Sequence, residues 1–393
     1  MSDRRALGLV CLFALVGFGH ENTIAPVLPL IVFERGGDAA LVGILVAAYG
    51  IPSIVLRPLL GRWLDTPRRP AIVRSGAAIV GLAPLGYIIP SLSAMLATRT
   101  VQGVGWAAYG TAGHAILARV APAGRRGEAA GYYNAMPALA VLVGPAVGLW
   151  LFANVGDVAP FILSSALGLT GLLLTRRLPL EAQVREPAAG EPQLAAPRVR
   201  LVAGVFDPVA VVPMVLIATF MSVQSLFVIF APVFARAHDI PIDQLAIYYP
   251  AYGFVVLVSQ LTLGRVSDRF GRRPTVILGC AIAVFGLATT SVAGGLGGLL
   301  LGGSLYGVAT ALTTSSLGAV AMESAPPERT GSAMATYSLG YQLGTSVGGA
   351  AWGAIISLAG YPWPFLGGTV VLAATLALAA VLVPSRLRSR PAA

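Results

Sequence analysis

The chain has no lysine, three histidines, two cysteines and few charges of any kind. Only 11% of its 393 residues are charged, against about 25% in a typical soluble domain. Without lysine there is no Gly-x-x-x-x-Gly-Lys loop, so we expect no ATP-driven step in this chain. Cys11 and Cys280 cannot form a disulfide framework, and so few histidines suggest no metal site. We therefore expect no cofactor, no metal and no enzymatic activity.

What the chain does contain is apolar sequence. Its residues are 56% hydrophobic and its mean hydropathy is +0.80, more than a soluble globule can cover. The net charge of +10 comes from 26 basic residues that are all arginine. Because they recur in short clusters between apolar runs, they indicate membrane topology and not a nucleic-acid surface. The sequence predicts a polytopic membrane protein in a lipid bilayer.

Twelve apolar stretches approach the roughly 20 residues that a helix needs to cross the hydrocarbon core. We place them at 6–32, 40–60, 71–90, 94–118, 129–152, 158–175, 209–234, 244–263, 275–293, 298–322, 331–358 and 364–383. With both termini in the cytoplasm, 22 of the 26 arginines fall at the cytoplasmic face, as the positive-inside rule requires. No cleavable signal peptide is visible, since the first apolar run is long and carries Glu21. We expect a multi-pass inner-membrane protein.

The two halves of the chain repeat each other. Gly61 and Asp65 recur as Gly264 and Asp268 at an offset of 264 − 61 = 203 residues. At the same offset Tyr49-Gly50 matches Tyr252-Gly253, Pro29 matches Pro232, Arg57 matches Gln260, and Glu21 matches Gln224. The repeat predicts an all-α fold of two pseudo-symmetric six-helix bundles. We assign 1–175 to the N-terminal bundle, 176–208 to a proline-rich cytoplasmic linker, and 209–393 to the C-terminal bundle.

Three motifs point to a known family. They are Gly264-x-x-x-Asp268-Arg269-x-Gly271-Arg272-Arg273 with its partial first-half copy, Arg99-x-x-Gln102-Gly103-x-Gly105, and Gly144-Pro145-x-x-Gly148. Together they make the chain similar to the major facilitator superfamily over essentially its whole length, and most similar to the twelve-helix drug:proton antiporters. The resemblance implies the major facilitator fold and alternating access. It also implies that the Gly144 motif shapes the packing at the seam between the halves.

The candidate residues for gating lie in two loops, and the candidates for proton coupling include one buried pair. Aspartate near one helix end and arginine near the next can pair across the seam, so we expect gating by Asp65, Arg68, Arg69, Asp268, Arg269, Arg272 and Arg273. Glu21 lies near the middle of the first span, and an intramembrane carboxylate usually marks an ion or proton path. Arg99 needs a partner if it is buried, and Glu21 is the nearest candidate by depth. We assign proton coupling to Glu21, Arg99 and the neighbouring His20.

Polar and aromatic residues within the spans are candidates for substrate contact, because tyrosine offers an apolar face and one hydrogen bond. They are Asn22, Asn134, Gln224, Tyr252, Tyr306, Tyr337 and Tyr341. Gly144, Pro145 and Gly148 are expected to permit close helix packing. Arg57, near the end of the second span, is expected to extend its charge to the membrane interface.

The function predicted is secondary active transport by alternating access. Proton-coupled export of a small amphiphilic or aromatic molecule by a monomer fits best, with the substrate and protons as the partners. Three alternatives stay open. They are a symporter or facilitator for a sugar or other organic solute, a flippase for a lipid-like molecule, and a non-transporting membrane sensor or scaffold. No nucleic-acid partner is expected.

Overall fold

The computed structural model describes residues 3–64, 68–120, 126–180, 207–263, 266–293, 295–326 and 329–383. Within these ranges the regular structure is helical. The α-helices are α1 (Asp3–Ile24), α2 (Val27–Glu34), α3 (Ala39–Leu64), α4 (Arg69–Leu82), α5 (Leu92–Val120), α6 (Arg126–Asn154), α7 (Ala159–Leu174), α8 (Val211–Val228), α9 (Ala231–Ala237), α10 (Ile242–Leu263), α11 (Val266–Phe270), α12 (Arg272–Ala293), α13 (Gly295–Ser324), α14 (Thr330–Ala359) and α15 (Trp363–Leu382).

Each of the twelve predicted spans corresponds to one helix or to two consecutive helices, so the predicted all-helical fold is confirmed. Eight helical segments of the described chain are long and apolar enough to cross a membrane, and α7 and the 247–263 part of α10 are shorter apolar helices. The two remaining spans, α5 and α14, are long but carry more polar residues, among them Arg99 and Gln342. Helix is the expected choice because an open strand leaves backbone groups unpaired in lipid.

The first span of each half is interrupted at matching places, and a proline lies at or next to each break. α1 ends at Ile24 and α2 begins at Val27, with Pro26 between them. In the second half α8 ends at Val228, and Pro232 lies in the first turn of α9. Since proline lacks an N–H and its ring crowds the preceding turn, each span bends there. The short helices α2 and α9 then lie against each other, with the Arg236 guanidinium 5.4 Å from the centre of the Phe33 ring.

Small residues bring α3 and α14 into backbone contact. A Cβ built on Gly43 would lie 2.6 Å from the Gly349 carbonyl oxygen, and one on Gly353 would lie 2.4 Å from the Ala39 carbonyl oxygen. Glycine stripes of this kind are what allow helix backbones to approach in membranes. Next to them the Ser357 hydroxyl donates a hydrogen bond to the Asp38 carboxylate.

These contacts define what we call the Asp38 end of the molecule, where α3 begins and α14 finishes. The opposite end, where α3 finishes at Leu64 and α12 begins, is called the Arg272 end. The two halves are therefore held closely together at the Asp38 end. Halfway along, Gly253 of α10 packs against Leu142 of α6, which forms the second close approach between the halves.

Large apolar side chains cover the outside of the bundle. Val292, Leu358 and Val381 are 88%, 89% and 79% exposed, which would be costly in water but suits acyl chains. Inside, aromatic residues such as Phe220, Phe227 and Tyr306 stack on one another. An apolar exterior of this kind is what a membrane-embedded bundle requires.

Candidate functional site

The predicted partnership between Glu21 and Arg99 is present in the structure. Arg99 Nη2 donates to Glu21 Oε1 at 2.6 Å and Arg99 Nη1 donates to Glu21 Oε2 at 3.0 Å. The two side chains are 6% and 17% exposed. Two parallel N–H···O bonds give a forked pair that is both strong and geometrically specific. The pair ties the last turn of α1 to the first third of α5.

Arg99 has two more contacts that hold its guanidinium in place. Nη1 also donates to Gln102 Oε1 at 2.9 Å, and the guanidinium lies 4.2 Å from the centre of the Tyr49 ring. A cation over an aromatic face is attracted by the ring quadrupole. If Glu21 becomes protonated, Arg99 therefore keeps two weaker partners, on α5 and α3. The charge is not left wholly uncompensated.

Gln102 joins this pair to His20. Its carbonyl oxygen accepts from Arg99 and, at 2.6 Å, from the Tyr87 hydroxyl. The amide nitrogen of Gln102 must then be the group that donates to His20 Nε2, 2.9 Å away. On the other side of the imidazole, His20 Nδ1 lies 2.7 Å from Ser164 Oγ. These partners favour a neutral His20 with its proton on Nδ1, because a proton on Nε2 would face the amide hydrogens of Gln102.

Local sequence explains why these groups meet. Arg99 and Gln102 are three residues apart on α5 and so share one helix face. Gly103 lets that part of α5 approach α3, since a Cβ there would lie 2.3 Å from the Tyr49 carbonyl oxygen. Ser164 fixes α7 against α1 by donating to the His20 carbonyl oxygen at 2.9 Å. Sequence reasoning missed Gln102, Tyr87 and Ser164. The spacing from Arg99 pointed to Gln102, whereas nothing in the sequence pointed to Ser164.

The second half has no such pair at the corresponding place among the described residues. Gln224 accepts a long hydrogen bond from the Tyr341 hydroxyl at 3.5 Å. Tyr252 is 2% exposed and stacks on Tyr248, with ring centroids 6.0 Å apart. The charged network is thus built by the first half, as the exchange of Glu21 for Gln224 predicts.

The remaining residues predicted to contact substrate lie in different surroundings. The hydroxyls of Tyr306 and Tyr337 donate to the carbonyl oxygens of Phe220 and Thr314 at 2.7 and 2.9 Å. Asn22 donates to the Phe18 carbonyl oxygen at 2.8 Å. Tyr341 is 40% exposed, which leaves its ring open to a ligand. The side chain of Asn134 lies outside the described part of the structure.

The predicted gating residues that the structure describes lie at the Arg272 end. Asp65 and the side chain of Asp268 lie outside the described residues. Arg69 is buried and its Nε donates to the Leu64 carbonyl oxygen at 2.5 Å, while Arg68 is exposed. The guanidinium of Arg269 lies 5.7 Å from the centre of the Phe270 ring, and Arg273 is half-buried.

Arg272 makes the strongest described contact of this group. It donates to Glu323 at 2.5 and 3.3 Å and to Ser267 Oγ at 2.7 Å. The pair links the start of α12 to the last turn of α13, both in the second half. Among the described residues, Glu323, near the end of α13, is a carboxylate partner of Arg272.

The glycines around Pro145 pack against α1. A Cβ on Gly148 would lie 1.9 Å from the Thr23 carbonyl oxygen, and one on Gly144 would lie 2.8 Å from Asn22 Cβ. The second half repeats the arrangement, since Gly344 and Gly348 of α14 approach α8 in the same manner. In both halves these glycines bring a neighbouring helix onto the first span just before its proline break.

The fold and the repeated motifs agree with a comparison of the sequence with protein families. The model of the Major Facilitator Superfamily matches residues 9–256 and again 214–393. The chain belongs to the Major Facilitator Superfamily. Membership confirms the resemblance that the three motifs indicate, and it makes the bundle a membrane-spanning one.

Curated relatives include bacterial proteins named for multidrug resistance or for quinolone resistance. Multidrug resistance protein 1 of Bacillus subtilis is 26% identical over 192 residues, 47% of this chain and 48% of that protein. Quinolone resistance protein NorA of Staphylococcus aureus is 24% identical over 155 residues, 39% of each chain. The part of the chain that aligns therefore covers less than half the length of each of these relatives.

Solved structures match over nearly the whole chain. A D-xylose-proton symporter aligns with a TM-score of 0.78 at 18% identity, covering 98% of this chain and 99% of that one. The nucleoside transporter NupG aligns with a TM-score of 0.70 at 14% identity, over 96% and 98% of the two chains. At these identities the likeness establishes the fold alone.

Proposed function

We propose that the protein is a proton-coupled secondary exporter that works by alternating access. The observation that carries the proposal is the forked Glu21–Arg99 pair, because a buried carboxylate beside an arginine can exchange a proton for an ion pair. The relatives named as multidrug and quinolone resistance proteins favour export as the direction. The Arg272 end is the cytoplasmic end in this proposal, and both termini lie in the cytoplasm of a bacterial inner membrane.

Glu21 lies four residues before the break at Ala25 and Pro26, so its charge state bears on how α1 meets α2. When Glu21 is ionised, the pair holds α1 on α5. Protonation removes the ionic part of that bond, and Arg99 then relies on Gln102 and the Tyr49 ring. The released α1 is free to shift together with α2. Because α2 touches α9 of the other half, the shift is passed to the contact between the two halves at the Asp38 end.

Proton movement supplies the energy in this mechanism. One charge crossing the membrane is worth roughly 2.3 kcal/mol per 100 mV of potential. In this scheme the proton enters with the Asp38 end open, neutralises Glu21, and leaves when the Arg272 end opens. His20 and Gln102 hold Arg99 in reach of Glu21. That His20 itself carries a proton stays a prediction, and its hydrogen bonds favour a positioning role.

Reconstitution tests the direction and the coupling. The protein is placed in proteoliposomes that contain a pH-sensitive dye, and sided orientation is determined by protease treatment of the termini. A gradient of protons is imposed, and cationic dyes, aromatic carboxylates and neutral aromatic amides are added in turn. An exporter moves protons and solute in opposite directions. Movement in the same direction would establish the symporter, and solute flux without protons would establish the facilitator.

A further inference from the structure

One face of α3 carries three buried polar groups that have no hydrogen-bond partner in the described part of the chain. They are the Tyr49 hydroxyl, the Ser53 hydroxyl and Arg57 Nε. A spacing of four residues places all three on the same side of the helix. Buried polar groups are nearly always satisfied in native proteins, and each exception costs free energy. Three exceptions in a row on one helix face indicate a surface that is completed by something other than this chain.

Arg57 does not behave as its position in the sequence predicts. An arginine that extends to the interface exposes its guanidinium, whereas Arg57 is only partly exposed and its Nε is buried. Tyr49, Tyr133 and His114 all lie near enough to Arg57 to interact with its charge. The described residues offer Arg57 no carboxylate, in contrast to Arg99, which has Glu21. A partly buried guanidinium that the described residues leave without a counter-charge is a place for an anion.

The three groups form a strip with a defined length and direction. Tyr49 lies under Arg99 at one end, and Arg57 lies eight residues further towards the Arg272 end. At a rise of about 1.5 Å per residue, the strip is roughly 12 Å long. Its walls are partly aromatic, because the rings of Tyr49 and Trp106 stack 6.4 Å apart and those of His114 and Tyr133 meet at 4.9 Å.

We propose that Tyr49, Ser53 and Arg57 bind the transported substrate, and that this substrate is an elongated aromatic organic anion. Its carboxylate or phosphate pairs with Arg57, and its apolar body lies along α3 towards Tyr49. The inference rests on the proposed transport function and adds a substrate class to it. The second half lacks the strip, since Gln260 stands at the position of Arg57. The anion is therefore held by the first half alone.

Ligand binding in detergent tests this without any proton gradient. The probes are biphenyl-4-carboxylate, 2-naphthoate and indole-3-acetate, each compared with its primary amide, and affinity is measured by thermal stabilisation at fixed pH. We expect the wild type to bind the carboxylates more tightly than the amides. Arg57→Gln should weaken carboxylate binding by about tenfold or more, as expected for a hydrogen bond to a charged group, and amide binding less than about twofold. Arg57→Lys should retain part of the preference.

A matched control separates substrate binding from a structural role of Arg57. Gln260→Ala, at the corresponding place in the second half, should leave both affinities unchanged. Equal loss of carboxylate and amide binding in Arg57→Gln would assign Arg57 a structural role and overturn the proposal. So would a wild type that binds carboxylates no better than amides, as expected if the strip holds only water.

Phosphatidylglycerol added to the micelles distinguishes a lipid phosphate from a solute. Competition between this lipid and biphenyl-4-carboxylate would assign the strip to lipid and overturn the substrate proposal. If any of these binding experiments contradicts the substrate proposal, proton-coupled export of neutral or cationic molecules is still consistent with the result. A failure of coupling in proteoliposomes leaves the binding result standing.

Discussion

The closed seam at the Asp38 end depends on glycine, and the structure gives the size of the effect. In Gly43→Ala the new Cβ would lie 2.6 Å from the Gly349 carbonyl oxygen and 2.9 Å from Ala350 Cα. Both neighbours are backbone, so no rotamer change relieves the clash. Ordinary contact begins near 3.4 Å, so α3 and α14 must separate by 3.4 − 2.6 = 0.8 Å. Overpacking of this kind costs about 1–3 kcal/mol.

That cost falls on the state that is closed at the Asp38 end, because only there do these two backbones meet so closely. We therefore expect the population of that state to fall by about 5- to 150-fold relative to the state open at that end. Asp38→Cys with Ser357→Cys provides the assay. The native side chains of this pair are hydrogen-bonded, so the two cysteines are near enough to form a disulfide when the seam is closed.

The rate of disulfide formation is compared with and without Gly43→Ala, in a background without Cys11 and Cys280. The rate should fall, by up to the full change in the closed-to-open ratio when the open state is the major one. Gly297→Ala is the control, since its Cβ would have nothing within 4 Å, and it should leave the rate unchanged. An unchanged rate in Gly43→Ala, with normal folding, would refute the idea that this seam is a tight closure.

Three further outcomes are expected. Asp38→Asn lowers the melting temperature at neutral pH, because the hydrogen bonds from Ser357 and then from the backbone hold the pKa of Asp38 below its usual value. The difference in melting temperature between Asp38→Asn and the wild type shrinks as the pH falls through that lowered pKa. Thermal melts recorded between neutral pH and about pH 3 measure this change. Gln102→Leu removes one acceptor of Arg99 and the hydrogen-bond partner of the Tyr87 hydroxyl and of His20. Transport against a gradient should therefore fall about tenfold, and the melting temperature should fall as well, because buried polar groups lose their partner. Asp207→Ala removes the bond to the Val209 N–H and an ion pair, and chemical denaturation should show a loss of about 1 kcal/mol.

The fold was predictable from the sequence because the membrane restricts the choice. An apolar run near 20 residues has few alternatives to a helix, and the repeat at an offset of 203 residues implied a second copy of the first bundle. The proline breaks after α1 and α8 were not predicted, although Pro26 and Pro232 were visible. A proline in a long apolar run is compatible with either a kink or a full interruption, and only tertiary packing decides between them.

The site was predicted in part. Glu21 and Arg99 stood out because charges are costly in hydrocarbon and need each other. The roles of Ser164 and Tyr87 could not be predicted, since a neutral hydroxyl in an apolar helix carries no sequence signal for a partner on another helix. Arg57 was misjudged for a similar reason. Its depth suggested that the guanidinium reaches the interface, whereas its Nε is buried in the structure.

Glu21→Gln in proteoliposomes tests the central claim most directly, because it removes the titrating proton but keeps size and hydrogen bonding. The variant and the wild type are compared for accumulation driven by a pH gradient and for exchange of solute at equal pH. Coupling through Glu21 predicts that the variant loses accumulation and keeps exchange. Accumulation by Glu21→Gln at the wild-type rate would contradict the account and leave the Glu21–Arg99 pair as a structural tie between α1 and α5.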